Sequence, residues 1–138
     1  MAIAIEAYRR GARLIRAVRA GICPLLLFSA CGPEYRRELQ VATSPNGELV
    51  ASVVQVSQSV SSGQNEVWIG ESGKGGPERI AWSRYDSWLV VIWESNRVLR
   101  IEPRIGQKNT IVRDCRHRVV INGHDVSVVL DPGIVEVK

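Results

Sequence analysis

The sequence predicts an all-β fold, either a small antiparallel sandwich or an open barrel, preceded by a separate N-terminal segment. Beyond residue 36 the apolar residues alternate or form short blocks rich in Val and Ile, with turn residues between the blocks. No window of helical length repeats apolar residues at the i, i+3, i+4, i+7 spacing of an amphipathic helix. A chain of 138 residues is expected to hold one domain.

The first thirty residues follow the order of regions found in a secretory signal peptide. Five of the first nineteen residues are arginine, and residues 20–30 follow as eleven residues without a charge. This apolar stretch is shorter than the about 20 residues that a membrane-spanning helix needs. There are two other interpretations. The segment could be an organelle transit peptide, or an amphipathic helix of a soluble protein in which Cys31 is an ordinary packed residue.

A short cysteine motif ends this segment. Phe28-Ser29-Ala30-Cys31 resembles the lipobox of bacterial lipoproteins, in which Leu, a small residue and Ala or Gly precede the lipidated cysteine, although Phe28 replaces the Leu. The resemblance implies a signal peptide at 1–30, a lipidated Cys31, a tether at 31–36 and one β domain at 37–138. It also implies a membrane-anchored position in the bacterial cell envelope. The two or more acyl chains of a lipobox cysteine would hold the protein stably at a membrane.

The charge distribution argues against a nucleic-acid partner. The formal net charge is +4, and residues 1–30 account for all of it with five arginines and one glutamate. The remaining residues carry thirteen basic and thirteen acidic side chains. A nucleic-acid-binding domain needs a basic surface, because phosphate neutralisation supplies much of its affinity.

The first half of the domain alternates strands with polar connections. Ser44-Pro45-Asn46-Gly47 predicts a tight turn, since Pro presets φ and Asn-Gly accepts a positive φ. Ser57–Asn65, rich in Ser, Gly, Gln and Asn, predicts a mobile loop, and Gly70–Pro77 a second one. The strands predicted in this half are Arg37–Thr43, Leu49–Val56, Glu66–Ile69 and Glu78–Trp82.

Trp88–Trp93 is the most apolar strand of the chain. All six of its residues are apolar, so we expect both of its faces to be covered and the strand to lie centrally in its sheet. A turn at Ser95-Asn96 would bring the chain back and pair Ile92 with Leu99. The residues that this register places on one core face are Trp88, Val90, Ile92, Leu99 and Ile101.

Two further turns organise the C-terminal part. Asn122-Gly123 is a strong hairpin signal and separates the predicted strands Thr110–Ile121 and His124–Leu130. Asp131-Pro132-Gly133 then leads into a final strand at Ile134–Val137.

An alternative fold comes from a second resemblance. Ser44–Ala51 resembles the Ser-Pro-Asp-Gly turn and following strand of β-propeller repeats, and also the opening of small uncharacterised β domains of bacterial lipoproteins. Residues 80–91 look like a degenerate second copy. The resemblance implies a propeller-blade-like sheet, although a closed propeller needs at least four blades of roughly 40–45 residues, more than residues 31–138 contain.

Gly70–Gly76 lacks two features of a phosphate-binding loop. That motif needs a glycine five residues before its Gly-Lys pair and Ser or Thr after it. Here Trp68 and Gly75 occupy those positions, so the segment predicts a hairpin loop.

Cys115, His117 and His124 are the remaining candidates for chemistry. In a hairpin turning at Asn122-Gly123, the two histidines lie roughly 13 Å apart at about 3.4 Å per residue, too far for one metal ion. Cys115 and His117 share a strand face about 7 Å apart, too far for a ready nucleophile and base. The sequence therefore predicts no catalytic residue, no metal site and no cofactor.

Three arginines cluster beside these residues. Arg116 and Arg118 are expected to point from one strand face, with Arg113 nearby. Such a row is typical of a solvated sheet face, and it could also meet an anionic headgroup or a partner carboxylate.

These observations together predict an envelope lipoprotein with a role in binding or assembly, held at the membrane through Cys31 and able to meet a protein partner there. One alternative is a thiol-dependent or other hydrolytic enzyme that uses Cys115 and His117. The other is a soluble β interaction module that is not exported.

Overall fold

The structure is a computed structural model, and it describes residues 34–59 and 62–138. The predicted signal peptide and residues 31–33 of the predicted tether, which include Cys31, lie outside the described residues. Within the described ranges, no helix is long and apolar enough to cross a membrane. The ten strands are β1 Tyr35–Thr43, β2 Leu49–Ser59, β3 Ser62–Glu71, β4 Glu78–Arg84, β5 Leu89–Ser95, β6 Val98–Pro103, β7 Thr110–Arg113, β8 Arg118–Ile121, β9 His124–Leu130 and β10 Ile134–Val137.

The strands form two packed sheets, which confirms the predicted sandwich. Sheet A has the order β1-β2-β3-β4-β7-β10 and sheet B the order β5-β6-β9-β8. The described strands do not close into a barrel. The pairs β7/β10 and β6/β9 are parallel, so both sheets are mixed and not purely antiparallel. Strands β1 to β4 form a blade-like meander, but two more strands extend it and a second sheet covers it.

The core lies between the inner faces of the two sheets. Along β2, Leu49, Ala51 and Val53 are fully buried, and the residues between them are partly exposed. This alternation follows from the two-residue period of a strand, which sends successive side chains to opposite faces. In sheet B the inward row includes Leu99, Ile101, Val126 and Val128.

The turns predicted at Ser44–Gly47 and Asn122-Gly123 are confirmed, whereas the turn predicted at Ser95-Asn96 lies one residue later, at Asn96-Arg97. At the turn after β1, the Gly47 amide donates to the Ser44 carbonyl at 2.8 Å, and Gly47 has a φ of 76°. Asn122 and Gly123 have φ values of 47° and 85°, as a type I′ hairpin turn requires. Ile121 pairs with His124 across that turn, in the expected register.

The loop predicted at Ser57–Asn65 is wrong, because most of it belongs to a long hairpin. Ser57 pairs with Gly63 and Gln55 with Asn65. A Cβ at Gly63 would lie 2.7 Å from the Val56 carbonyl oxygen, so only glycine fits there. The polar composition was misleading, since main-chain pairing does not require apolar side chains.

The central position and the register predicted for β5 are also wrong. Strand β5 is an edge strand of sheet B, and Ile92 pairs with Arg100 and is 43% exposed. A bulge at Glu94 shifts the pairing with β6 by one residue. Because side chains alternate between faces, this shift reverses the face of the β5 residues that precede Glu94. The residues that β5 directs to the core are Leu89, Val91 and Trp93.

The predicted strand Thr110–Ile121 is two strands in different sheets. Strand β7 ends at Arg113 in sheet A, and β8 begins at Arg118 in sheet B. Asp114–His117, the crossover segment, connects them.

Candidate functional site

The crossover segment begins where Asp114 ends β7. Asp114 has a φ of 51°, a left-handed conformation that Asp tolerates better than most residues. Its Oδ2 accepts a hydrogen bond of 2.7 Å from the Trp82 indole, which fixes this bend. The Arg116 amide then donates to the Ile80 carbonyl at 2.8 Å. The bend takes the chain out of the β7 ladder and positions Cys115 and His117.

Three chemically reactive side chains meet at this segment. The ligand atoms of Cys115, His117 and Glu136 all lie within 4.8 Å of one another, and Nε2 of His117 is 2.9 Å from Oε2 of Glu136. We call these three residues the Cys-His-Glu cluster. Cys115 and His117 are closer than predicted because the crossover segment is not a regular strand. Sequence reasoning missed Glu136, since only the parallel pairing of β10 with β7 brings it here.

Main-chain contacts orient the imidazole of the cluster. The Val128 amide donates to the His117 carbonyl at 2.8 Å, and Nδ1 of His117 lies 3.3 Å from the Val128 carbonyl oxygen. A carbonyl oxygen can only accept, so this contact is a hydrogen bond in the tautomer that carries its hydrogen on Nδ1. The other nitrogen, Nε2, faces the Glu136 carboxylate. Both ring nitrogens are therefore occupied, and neither is directed at the Cys115 thiol as a free base.

The surroundings of Cys115 keep its sulfur protonated. Cys115 is partly buried. Its partial burial raises the pKa of the thiol to about 11, and the negative charge of Glu136 is a second, smaller cause in the same direction. Catalytic cysteines have a lowered pKa, because the thiolate is the nucleophile. The cluster thus offers sulfur, nitrogen and oxygen donors without the features of an activated nucleophile.

The second histidine lies in a different cluster. Nδ1 of His124 is 3.7 Å from Oε2 of Glu48, and the same carboxylate binds the Arg97 guanidinium at 3.3 Å. His117 and His124 thus have different carboxylate partners.

Each arginine of the predicted basic row has an intramolecular partner. The Arg113 guanidinium lies 5.6 Å from the centre of the Trp82 ring, Arg116 binds Glu78 at 2.7 Å, and Arg118 binds Asp125. Arg116 precedes β8, so Arg116 and Arg118 do not share the predicted strand. The carboxylates of Glu78 and Asp125 neutralise two of the three arginines within the domain.

A buried carboxylate lies on the outer face of sheet A, which the sequence did not indicate. Glu66 is 3% exposed and accepts hydrogen bonds from the Trp68 indole at 2.9 Å and from Arg79 at 3.0 Å. The Arg36 guanidinium lies 5.8 Å from the centre of the Trp68 ring. These contacts compensate the buried charge, as a buried ion requires, and give Glu66 a structural role.

Comparison with protein-family models, with curated proteins and with solved structures finds no match to this chain. The functional assignment therefore depends on the residues themselves.

Proposed function

We propose that the protein is a membrane-anchored lipoprotein of the bacterial cell envelope, with a β-sandwich that serves in binding or assembly. The observation that carries this proposal is the order of the N-terminal regions: arginines, eleven uncharged residues, and Ser29-Ala30-Cys31. Residues 31–138 have no net charge, which fits a domain that is held by its lipid and not by basic side chains.

The start of β1 supports a short tether. Tyr35 is the first strand residue and lies four positions after Cys31. Four extended residues span at most about 14 Å, so a lipid on Cys31 would keep the sandwich close to the membrane surface. Tyr35 and Tyr85 are 60% and 47% exposed. They suit a position at the membrane surface, because a tyrosine ring is apolar and its hydroxyl is polar.

A groove between β1 and β5 offers a surface for binding. It has a volume of about 350 Å³, and its lining includes Arg37, Leu39, Trp88 and Arg104. The Arg104 guanidinium stacks on Trp88, 4.6 Å from the ring centre. An indole face beside guanidinium groups can contact both apolar and acidic parts of a partner.

The anchor is tested by expressing the full-length chain in bacteria with a labelled fatty acid and measuring its intact mass. We expect a labelled chain that begins at Cys31, and no label on the Cys31→Ser variant. Cys115→Ser is the matched control and keeps the label. A mature chain that retains Met1–Ala30 without label would refute the anchor and favour the soluble module.

The hydrolytic alternative has one observation in its favour, the proximity of Cys115 to His117. The raised pKa of Cys115 opposes it. In the metal-free protein we expect alkylation of Cys115 by iodoacetamide to be slow at pH 7 and to accelerate towards pH 11. Fast alkylation near neutral pH, with a cellular phenotype for Cys115→Ala, would favour the enzyme instead.

A further inference from the structure

We propose that Cys115, His117 and Glu136 bind a divalent transition-metal ion of the zinc type. This site goes beyond the lipoprotein function and does not depend on lipidation. Zn²⁺ takes thiolate sulfur, imidazole nitrogen and carboxylate oxygen as ligands, and three protein ligands leave a fourth position for water or a partner side chain.

The geometry of the cluster is close to that of a zinc site. With metal–ligand bonds of about 2.0–2.3 Å, two ligand atoms of a tetrahedral site lie roughly 3.2–3.6 Å apart. In the structure Nε2 of His117 and Oε2 of Glu136 are 2.9 Å apart, and all three ligand atoms lie within 4.8 Å. The His117–Glu136 separation is slightly below the tetrahedral range, and the 4.8 Å bound on the other two separations lies above it.

The second argument is the orientation of His117. Metal-binding histidines almost always donate their other ring N–H to a carboxylate, a carbonyl or a water, which fixes the tautomer. Here the Val128 carbonyl occupies that place at Nδ1. In the neutral ring, the lone pair of Nε2 then faces a carboxylate oxygen, also an acceptor, at 2.9 Å. Two acceptors at this distance need a proton or a metal ion between them.

The donor set selects the class of metal. Ca²⁺ and Mg²⁺ prefer oxygen ligands, whereas thiolate and imidazole favour zinc and its neighbours. On binding, Cys115 releases its proton to solvent as the sulfur–metal bond forms, and no electron is transferred. The thiolate and the carboxylate then balance the charge of the divalent ion.

A bound ion would also connect the two sheets. Glu136 lies on β10 of sheet A, and the Val128 carbonyl that orients His117 lies on β9 of sheet B. Because the three ligands come together only in the folded chain, a metal that binds them shifts the equilibrium towards the folded state.

The experiment uses the full-length chain carrying Cys23→Ser and Cys31→Ser, so that Cys115 is its only thiol. Co²⁺ is titrated first, because a cobalt–thiolate bond gives a charge-transfer absorption band, and Zn²⁺ is then added to displace it. We expect one ion per chain, loss of the band with Cys115→Ser, and at least about tenfold weaker Zn²⁺ binding with His117→Gln and with Glu136→Gln. The matched control His124→Gln keeps the affinity of the parent.

Circular dichroism establishes that each variant is folded, and Zn²⁺ should raise the melting temperature of the parent more than that of His117→Gln. Absence of a charge-transfer band in the parent would overturn the proposal. A band that persists in Cys115→Ser, or an equal loss of affinity in His124→Gln, would overturn it too. Since these measurements use a chain without Cys31, their failure leaves the lipoprotein proposal unaffected.

Discussion

The two lateral edges of the sandwich are joined in different ways. Edge strands β1 and β5 are joined by neutral groups: the Gln40 amide makes two hydrogen bonds of 2.9 Å with the main chain of Val91, and the Trp93 indole donates to the Ala42 carbonyl at 2.9 Å. We call this the amide edge. On the opposite side of the sandwich, the edge strands are β10 of sheet A and β8 of sheet B. There His117, which precedes β8, contacts Glu136 on β10, and we call this contact the second edge. The first contacts involve neutral groups only, whereas the second places an imidazole nitrogen against a carboxylate.

A bulge at Leu39 creates the amide edge. Glu38 pairs with Val54 and Gln40 with Val53, so one extra residue separates them on β1. Without the bulge, Gln40 would share the solvent-facing side of Glu38. The bulge turns the Gln40 amide towards β5. There the amide makes the hydrogen bonds to the Val91 N–H and C=O that a neighbouring strand would make in the middle of a sheet.

Removing the indole that joins the amide edge should have the largest effect. Trp93→Ala loses a large, partly buried ring and its hydrogen bond to Ala42, and we expect a loss of about 3 kcal/mol in the free energy of unfolding. Trp93→Phe keeps an aromatic ring but removes the N–H donor, and it should lose about 1 kcal/mol. Urea denaturation measures both. Equal losses would mean that the hydrogen bond, and not packing, dominates.

Gln40→Ala should cost about 2 kcal/mol of unfolding free energy. The substitution leaves the partly buried N–H and C=O of Val91 without their partner, and such groups cost about 1–3 kcal/mol. Val41→Thr, on the exposed side of the same strand, should change stability by less than about 0.5 kcal/mol. Similar losses in both variants would refute the role of the amide.

At the opposite edge, His117→Gln in metal-free protein at pH 7 should cost less than about 1 kcal/mol. The His117 side chain is 54% exposed, and exposed ion pairs contribute little. Denaturation in the presence of a chelator measures this change. A loss as large as that of Gln40→Ala would make the second edge a structural contact like the first.

The smallest expected effect is at Arg118 and Asp125, an exposed pair beside the β8 edge. The hydrogen bonds from Arg118 hold the pKa of Asp125 below its usual range. Since the folded pKa is the lower one, this contribution is present above the usual pKa of Asp and is lost as pH falls through the folded value. Melting temperatures of Asp125→Asn and the parent should converge in acid. A constant difference down to pH 2 would contradict this.

Local patterns in the sequence determined the all-β class, most strand positions and the turns. The Asn122-Gly123 turn and the bend after Ser44 form as predicted, because the φ preferences of Asn, Gly and Pro act within a few residues. The leader pattern is likewise local, and it remains a prediction about residues outside the described part of the chain.

Tertiary structure decided which faces are buried and which side chains meet. The bulges at Leu39 and Glu94 reverse the inward side of β1 and β5, and their positions depend on pairing with other strands. Glu136 joins Cys115, twenty-one residues earlier, only because β10 pairs in parallel with β7. A period-two pattern carries no information about such distant pairing, since the same alternation fits either face until a neighbouring strand selects one.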